Sequence, residues 1–235
     1  ELMGVVDEDD NDITTVNAEI TNSTSVMLTT VAGNPAAIGY VSLGSLSDEV
    51  KAIKVDGVAA TVEDINNGTY KVARPFLVAY KDGSLTDVAQ DFLNYIMSDD
   101  GQAIINEEGY ISVAEGNTYT ASGMSGRIVL AGSTSVSPVM EVLADAYKAL
   151  NPDVTIEIQQ TGSGAGITSA IEGVCDFGMS SRALTDEEAA ELVNTQIATD
   201  GIAVVVNNEN PVADMTSDQI KGIYLGEITD WSEIQ

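Results

Sequence analysis

Three hydroxyl-bearing turns hold most of the chemistry that this sequence can perform. They are Ser133-Thr134-Ser135, Gly162-Ser163-Gly164 and Ser180-Ser181, the last followed by Arg182, and each ends an apolar stretch with strand character. The first two lead directly into segments of helical periodicity. A helix N-terminus presents N–H groups that have no intrahelical acceptor, together with the positive end of the helix dipole. Several such ends converging on one crevice make an anion site that needs few cationic side chains.

The elements that must position these turns alternate between strand and helix. Residues 127–131 and 154–159 have strand patterning, and Ser137-Pro138 with Val139, Val142, Leu143, Tyr147 and Leu150 makes a capped amphipathic helix. Thr185 with Glu188, and Thr216 with Gln219, have the spacing of capping boxes. The continuous apolar run 202–206 suits a strand covered on both faces. The N-terminal half has the same grammar. A helix opened by Ser23 or Thr24 runs over 22–31, and 37–43 is a buried strand. Thr86 caps a helix through Val88, Ala89, Phe92, Leu93 and Ile96, with another helical turn near 102–106. Residues 115–126 are rich in Gly, Ser and Thr and lack periodicity, as a linker would, and 7–12 form an acidic loop.

Composition narrows the function classes. With 235 residues, 44% of them hydrophobic, the chain can form one large domain or two lobes with a sizeable core. No apolar run approaches the length of a membrane span, and no signal-peptide pattern is present. The 37 acidic against 9 basic residues give a net charge of −28, which excludes a basic nucleic-acid surface. That charge suits a solvated, exported surface and leaves room for a small anion, because screening over about 8 Å uncouples distant carboxylates from an interior site. The absence of histidine removes His-dependent nucleophile schemes and the commonest metal ligand. Cys175, the single cysteine, lies in an apolar run and reads as a buried, inert thiol. No Walker-type loop or metal cluster is evident, and the acid pairs Asp9-Asp10 and Asp99-Asp100 read as solvated loop residues, so an enzyme has little support.

With these patterns in hand, the chain resembles the phosphate-binding proteins that serve phosphate ABC transporters. Residues 126–235 resemble the family's N-terminal half through GSTSVSPVM (132–140), QQTGSGAGI (159–167), DFGMSSR (176–182), DGIAVVVNNENPV (200–212) and IYLGEITDW (223–231). Residues 20–113 resemble its C-terminal half through NSTSVMLTTVAGNPAAIGYVSL (22–43), YKVARPF (70–76) and DFLNYIMSDDGQAIINEEGYI (91–111). The halves stand in inverted order, with 115–126 joining the family's old end to its old beginning. The resemblance therefore implies an α/β, two-lobed periplasmic-binding-protein-like fold of type II, circularly permuted, an arrangement that surface termini lying close together tolerate. It places crossings near Arg74-Pro75 and 199–203. Residues 75–200 then form one contiguous lobe containing the 115–126 linker, and 1–73 with 204–235 form the other.

The resemblance also implies a function and a set of site residues. It describes an extracytoplasmic solute-binding protein, not an enzyme, that binds inorganic phosphate in an interlobe cleft without cofactor or metal. As a monomer, with no nucleic-acid partner, it delivers phosphate to the membrane permease of an ABC importer. The setting is extracellular, lipid-anchored at the cell surface, or periplasmic, with the signal segment outside these 235 residues. Thr134, Ser135, Ser163, Ser181 and Arg182 occupy the family's ligand positions. Plainer readings stand beside these: the 133–135 turn as a helix cap, the 162–164 turn as a flexible loop, and Arg182 paired with Asp186. Ser181 stands where better-known members carry an aspartate that accepts a hydrogen bond from protonated phosphate, so rejection of sulfate-like oxyanions is expected to weaken. The family's Arg-x-x-Gly-Ser-Gly-Thr loop, which belongs between Trp231-Ser232-Glu233 and Glu1-Leu2-Met3 in family order, does not occur in the sequence. The expectation is a trimmed chain, weak phosphate binding or none by these residues alone, and recovery of tight binding when the loop is supplied. A sensing or interaction module with an incomplete pocket is the remaining alternative.

Overall fold

The computed structural model describes residue 5 and residues 12–234, so most of the acidic stretch 7–12 and the pair Asp9-Asp10 lie outside the described residues. The chain divides into two compact units, Glu1–Ala73 with Gly201–Gln235, and Arg74–Asp200. In chain order the elements are α1 (Thr24–Gly33), β1 (Ile38–Ser42), β2 (Val50–Ala52), β3 (Lys54–Val55), α2 (Val62–Asn66), β4 (Ala73–Tyr80), α3 (Asp87–Ile96) and α4 (Asp99–Glu107). There follow β5 (Ser125–Gly132), α5 (Ser137–Leu150), β6 (Asp153–Gln160), α6 (Ser163–Glu172), β7 (Phe177–Ser180), α7 (Asp186–Glu191), β8 (Val193–Asn207), β9 (Asp214–Met215) and α8 (Ser217–Leu225). Among the described residues, no helix is long and apolar enough to cross a membrane.

In the discontinuous unit, the last part of β8 is the central strand. It pairs antiparallel with β1, Ile38 opposite Val206 and Ser42 opposite Ile202, and with β2, Val50 opposite Asn207. Side chains alternate across a strand, and both sides of β8 are buried: Ile202, Val204 and Val206 join Val55, Tyr70, Met215 and Ile220, while Ala203 and Val205 join Val31, Val41 and Val50. This explains the unbroken apolar run 202–206. Ser23 is the N-cap of α1, its hydroxyl accepting the Val26 N–H, and Thr216 closes the capping box of α8.

The Arg74–Asp200 unit is a mostly parallel sheet with helices on both faces. β5 pairs in parallel with β6 on one side and β7 on the other, and β4 runs antiparallel to β7. Phe76 and Val78 of β4, Ile128 and Leu130 of β5, and Phe177 and Met179 of β7 bury one face against Phe92 and Ile96 of α3, Ile105 of α4 and Leu143 and Tyr147 of α5. The other face carries α6, whose Ile167 and Ala170 pack with Ala79 and Leu192. Where the unit begins and ends in sequence, Arg74 donates through Nε to Asp200 Oδ2 at 3.0 Å, with the Asp200 side chain fully buried and that of Arg74 16% exposed.

Two boundaries differ from the sequence reading. The linker is shorter than 115–126, because Ser125 and Gly126 already belong to β5, opposite Asp153 and Val154 of β6. Residues 112–124 form neither helix nor strand, yet they are tied down. Asp91 Oδ2 accepts hydroxyls from Tyr119 (2.7 Å), Ser122 (2.7 Å) and Tyr147 (2.6 Å), and Asn151 Oδ1 accepts the Gly123 N–H at 3.0 Å. β8 is also longer than the apolar run, because residues 193–201 mix Val193, Ile197 and Ala198 with polar residues and so lack an unbroken hydrophobic signal.

Candidate functional site

Strands β5, β6 and β7 run in the same direction, so the three hydroxyl turns lie at one end of the sheet, beyond the carboxyl ends of the strands. The chain leaves β5 for β6 on one side and later returns to β7 on the other. Open α/β sheets bind ligands where the winding reverses in this way.

Three glycines make the convergence possible by close backbone approach. A Cβ on Gly166, in α6, would lie 2.4 Å from the Ala131 carbonyl oxygen and 2.4 Å from Gly132 Cα. One on Gly178, in β7, would lie 2.7 Å from the Gly166 carbonyl oxygen. Gly132 ends β5 with φ +143, and its Cβ would lie 2.2 Å from the Met179 carbonyl oxygen. Helix α6 therefore rests directly on the sheet backbone and sets its first residue, Ser163, beside the end of β5.

Hydrogen bonds then stitch the turns together. The Gly132 carbonyl accepts N–H groups from Thr161 (2.9 Å) and Gly162 (2.8 Å), and the Ser133 N–H donates to the Met179 carbonyl at 2.9 Å. The Ser181 N–H donates to Ser163 Oγ at 3.2 Å, and the two hydroxyl oxygens are 3.4 Å apart. Ser163 and Ser181, distant in sequence, are thus in contact. Gly162, the N-cap of α6, has φ +88 and no side chain with which to accept the first N–H groups of the helix. Those donors have no intrahelical acceptor and lie beside the Ser163 hydroxyl. Thr134, Ser135, Ser163, Ser181 and Arg182 are all partly exposed, whereas Ser133, Ser137 and Ser180 are buried.

The first turn caps the helix that follows it, as its plainer reading has it, but through Ser133 and not the expected Ser137. Ser137 does not cap α5: its hydroxyl donates to the Ser133 carbonyl at 2.9 Å, and the N-cap position falls on Val136. Ser133 Oγ does the capping, accepting N–H groups from Ser135 at 3.2 Å and Val136 at 3.4 Å. The cause is the helical backbone of Val136, which puts a turn ahead of Ser137.

Arg182 also differs. It pairs not with Asp186 but with Glu188, NH1 to Oε2 at 2.7 Å and NH2 to Oε1 at 2.7 Å. The capping box of α7 is the reason: Glu188 turns back so that Oε2 accepts the Thr185 N–H at 2.9 Å, which brings its carboxylate to the arginine. Sequence reasoning found that box and missed its second role.

The Arg182 hydrogen bonds are the main reason the Glu188 carboxyl titrates below the ordinary 4.5, with partial burial opposing them. A carboxyl depressed in the folded state stabilises fully above its unfolded pKa, and that stabilisation is lost as pH falls through the folded value. Glu188→Gln should therefore be less stable than the parent chain at neutral pH, with the gap narrowing once pH falls below 4.5 toward the depressed value. Urea midpoints across that range read this out, and a gap independent of pH would mean that Arg182 does not stabilise the ionised carboxylate.

Cys175 is half-buried, not buried, and burial raises its thiol to about 11, so it is a poor nucleophile at neutral pH. Asp99 and Asp100 are exposed in the first turn of α4, where Asp99 accepts the Gly116 N–H at 2.7 Å. Among the described residues, no group of three or more His, Cys, Asp or Glu side chains could hold a metal ion. The groups brought together here are hydroxyls, backbone N–H groups and the Arg182–Glu188 pair.

A family model for the PBP superfamily domain matches residues 117–235. The chain is 51% identical over 224 residues to the phosphate-binding protein PstS 2 of Streptococcus agalactiae, covering 95% of this chain and 76% of that protein. It is 42% identical over 239 residues to the phosphate-binding protein PstS 2 of Streptococcus pneumoniae, covering 100% of this chain and 82% of that protein. In structure it is similar to a crystal structure of a phosphate-binding protein of a phosphate ABC transporter from Streptococcus pneumoniae TIGR4, with TM-score 0.79, 42% identity and coverage of 100% of this chain and 92% of that one.

Proposed function

The chain belongs to the phosphate-binding protein family of the PBP superfamily, and from that premise we propose that it binds inorganic phosphate outside the cytoplasmic membrane and delivers it, unaltered, to the permease of an ABC importer. The Arg74–Asp200 unit is read as the lobe that carries the ligand residues Thr134, Ser135, Ser163, Ser181 and Arg182.

The contact between Ser163 and Ser181 is the observation that carries this reading, since it joins two of the three turns at the carboxyl ends of parallel strands. Chemically the array suits phosphate. Backbone N–H groups and the α6 dipole supply positive potential without a desolvated cation. A hydroxyl can donate to a bare phosphate oxygen or accept from a protonated one, so the monoanion and the dianion can both be held. Arg182 has its guanidinium charge balanced by Glu188, which leaves the neutral donors as the principal ligands.

Ser163→Ala should weaken phosphate binding about tenfold or more, since one hydrogen bond to a charged ligand contributes roughly 1.5–3 kcal/mol. Isothermal titration measures it, and an unchanged dissociation constant would remove Ser163 from the site. A second reading, a receptor for sulfate-like oxyanions, is favoured by one observation: Ser181 places a hydroxyl where a carboxylate would repel a fully deprotonated anion. Sulfate displacing phosphate at similar concentration in a competition titration would favour that reading, and displacement only at large excess would exclude it.

A further inference from the structure

The carboxylate nearest the arginine of the loop after β7 belongs to Glu188. Its two oxygens hold the fork of Arg182, each at 2.7 Å, so the guanidinium is fixed in plane and direction. The backbone of Arg182 is clasped as well: Ser180 Oγ donates to the Arg182 carbonyl at 2.8 Å and accepts the Arg182 N–H at 3.2 Å. Ser181 lies between these two residues and inherits their constraint. Its N–H points at Ser163 Oγ, 3.2 Å away. A serine hydroxyl has one proton and two acceptor lone pairs. Once the Ser181 N–H occupies a lone pair, the Ser163 proton is confined to the remaining directions, which include the Ser181 hydroxyl at 3.4 Å and the open end of the turn.

We propose that Glu188 is a positioning residue of the anion site: through Arg182 it fixes the 180–182 backbone, so that the Ser181 N–H turns the Ser163 hydroxyl into a directed donor. The inference rests on the reading above that Ser163 meets the bound anion. It assigns Glu188 no contact with the ligand. It also explains why an acid can stand near an anion site at little cost, since its charge is spent on the Arg182 fork.

A double-mutant cycle tests it in the full chain. Phosphate affinity is measured for the parent, Glu188→Gln, Ser163→Ala and the double variant, by calorimetry or by phosphorus NMR where binding is weak, with an unfolding midpoint for each. Glu188→Gln should weaken phosphate binding about three- to tenfold, the scale of one misdirected hydrogen bond. In the Ser163→Ala background the same substitution should change affinity less than about twofold, because the group it acts through is gone. If Glu188→Gln does not fold, Arg182→Lys, which keeps the charge but lacks the planar fork, replaces it in the same cycle. Parental affinity in Glu188→Gln, or an equal loss with and without Ser163, overturns the inference while leaving phosphate binding intact. If the parent chain shows no phosphate binding even when the Arg-x-x-Gly-Ser-Gly-Thr loop is supplied, the function reading is overturned, and this inference with it.

Discussion

Gly132→Ala is expected to cost the protein roughly 2–6 kcal/mol, a large share of the roughly 5–15 kcal/mol that holds a typical domain folded. Two penalties add. At φ +143 an L side chain is strained, by about 1–3 kcal/mol. In addition, the new Cβ would lie 2.2 Å from the Met179 carbonyl oxygen and 2.9 Å from the Met179 nitrogen. Neither is a flexible side-chain end, so β7 must move away from β5, at about 1–3 kcal/mol for overpacking. The same movement disturbs the Ser133 N–H bond to Met179 and, through Gly132, the carbonyl that receives Thr161 and Gly162. Urea unfolding measures the loss. A midpoint shift equivalent to less than about 1 kcal/mol would mean that the end of β5 can relax, and that the glycine is not what sets the turn.

Arg74→Met has the second large effect, about 3–5 kcal/mol, because removing one member of a buried pair leaves the other's charge in a low-dielectric site. Asp200 is wholly buried and Arg74 nearly so, with the guanidinium also 5.7 Å from the Phe76 ring centroid. Replacing both partners, Arg74→Met with Asp200→Asn, should restore much of the loss, since a neutral pair no longer strands a charge. If the double variant is no more stable than the single one, the cost lies in packing around Phe76 and Tyr110, whose rings are 5.3 Å apart, and not in the charge.

Legibility from sequence followed the range of the signal. Strand and helix types were readable where periodicity and caps are local: Ser23, Thr86, Thr185 and Thr216 all cap the helices they were expected to cap. That the three hydroxyl turns share one end of a sheet was readable because each follows an apolar strand in an alternating β/α pattern. What escaped depended on contacts between distant segments. Ser137-Pro138 has the look of a helix start, but Ser133 supplies the cap because the backbone already turns at Val136. Asp200 falls inside the crossing expected at 199–203, but nothing local shows that it pairs within β8 with Arg74, 126 residues away in sequence. Glu188 was legible as half of a capping box, and its grip on Arg182 follows from the same backward turn. Gly166 and Gly178 gave no signal, since nothing local shows which backbone will approach them.

The hub at Asp91 bears on how the join between the two halves of this sequence behaves. One carboxylate oxygen receives hydroxyls from Tyr119 and Ser122 in the irregular segment and from Tyr147 in α5, while Asn151 holds Gly123. Chain entropy is lost by fixing residues, and here a stretch with no repeating hydrogen-bond ladder is fixed at three points within five residues by groups that the core already holds in place. A segment of linker-like composition is therefore not a tether. Its second half is part of the folded body, and its first half is held too: Asp99 accepts the Gly116 N–H at 2.7 Å and donates its own N–H to the Asn117 carbonyl at 2.8 Å. A backbone break or an insertion beside Gly116 should cost its bond to Asp99 and leave Tyr119, Ser122 and Gly123 in place.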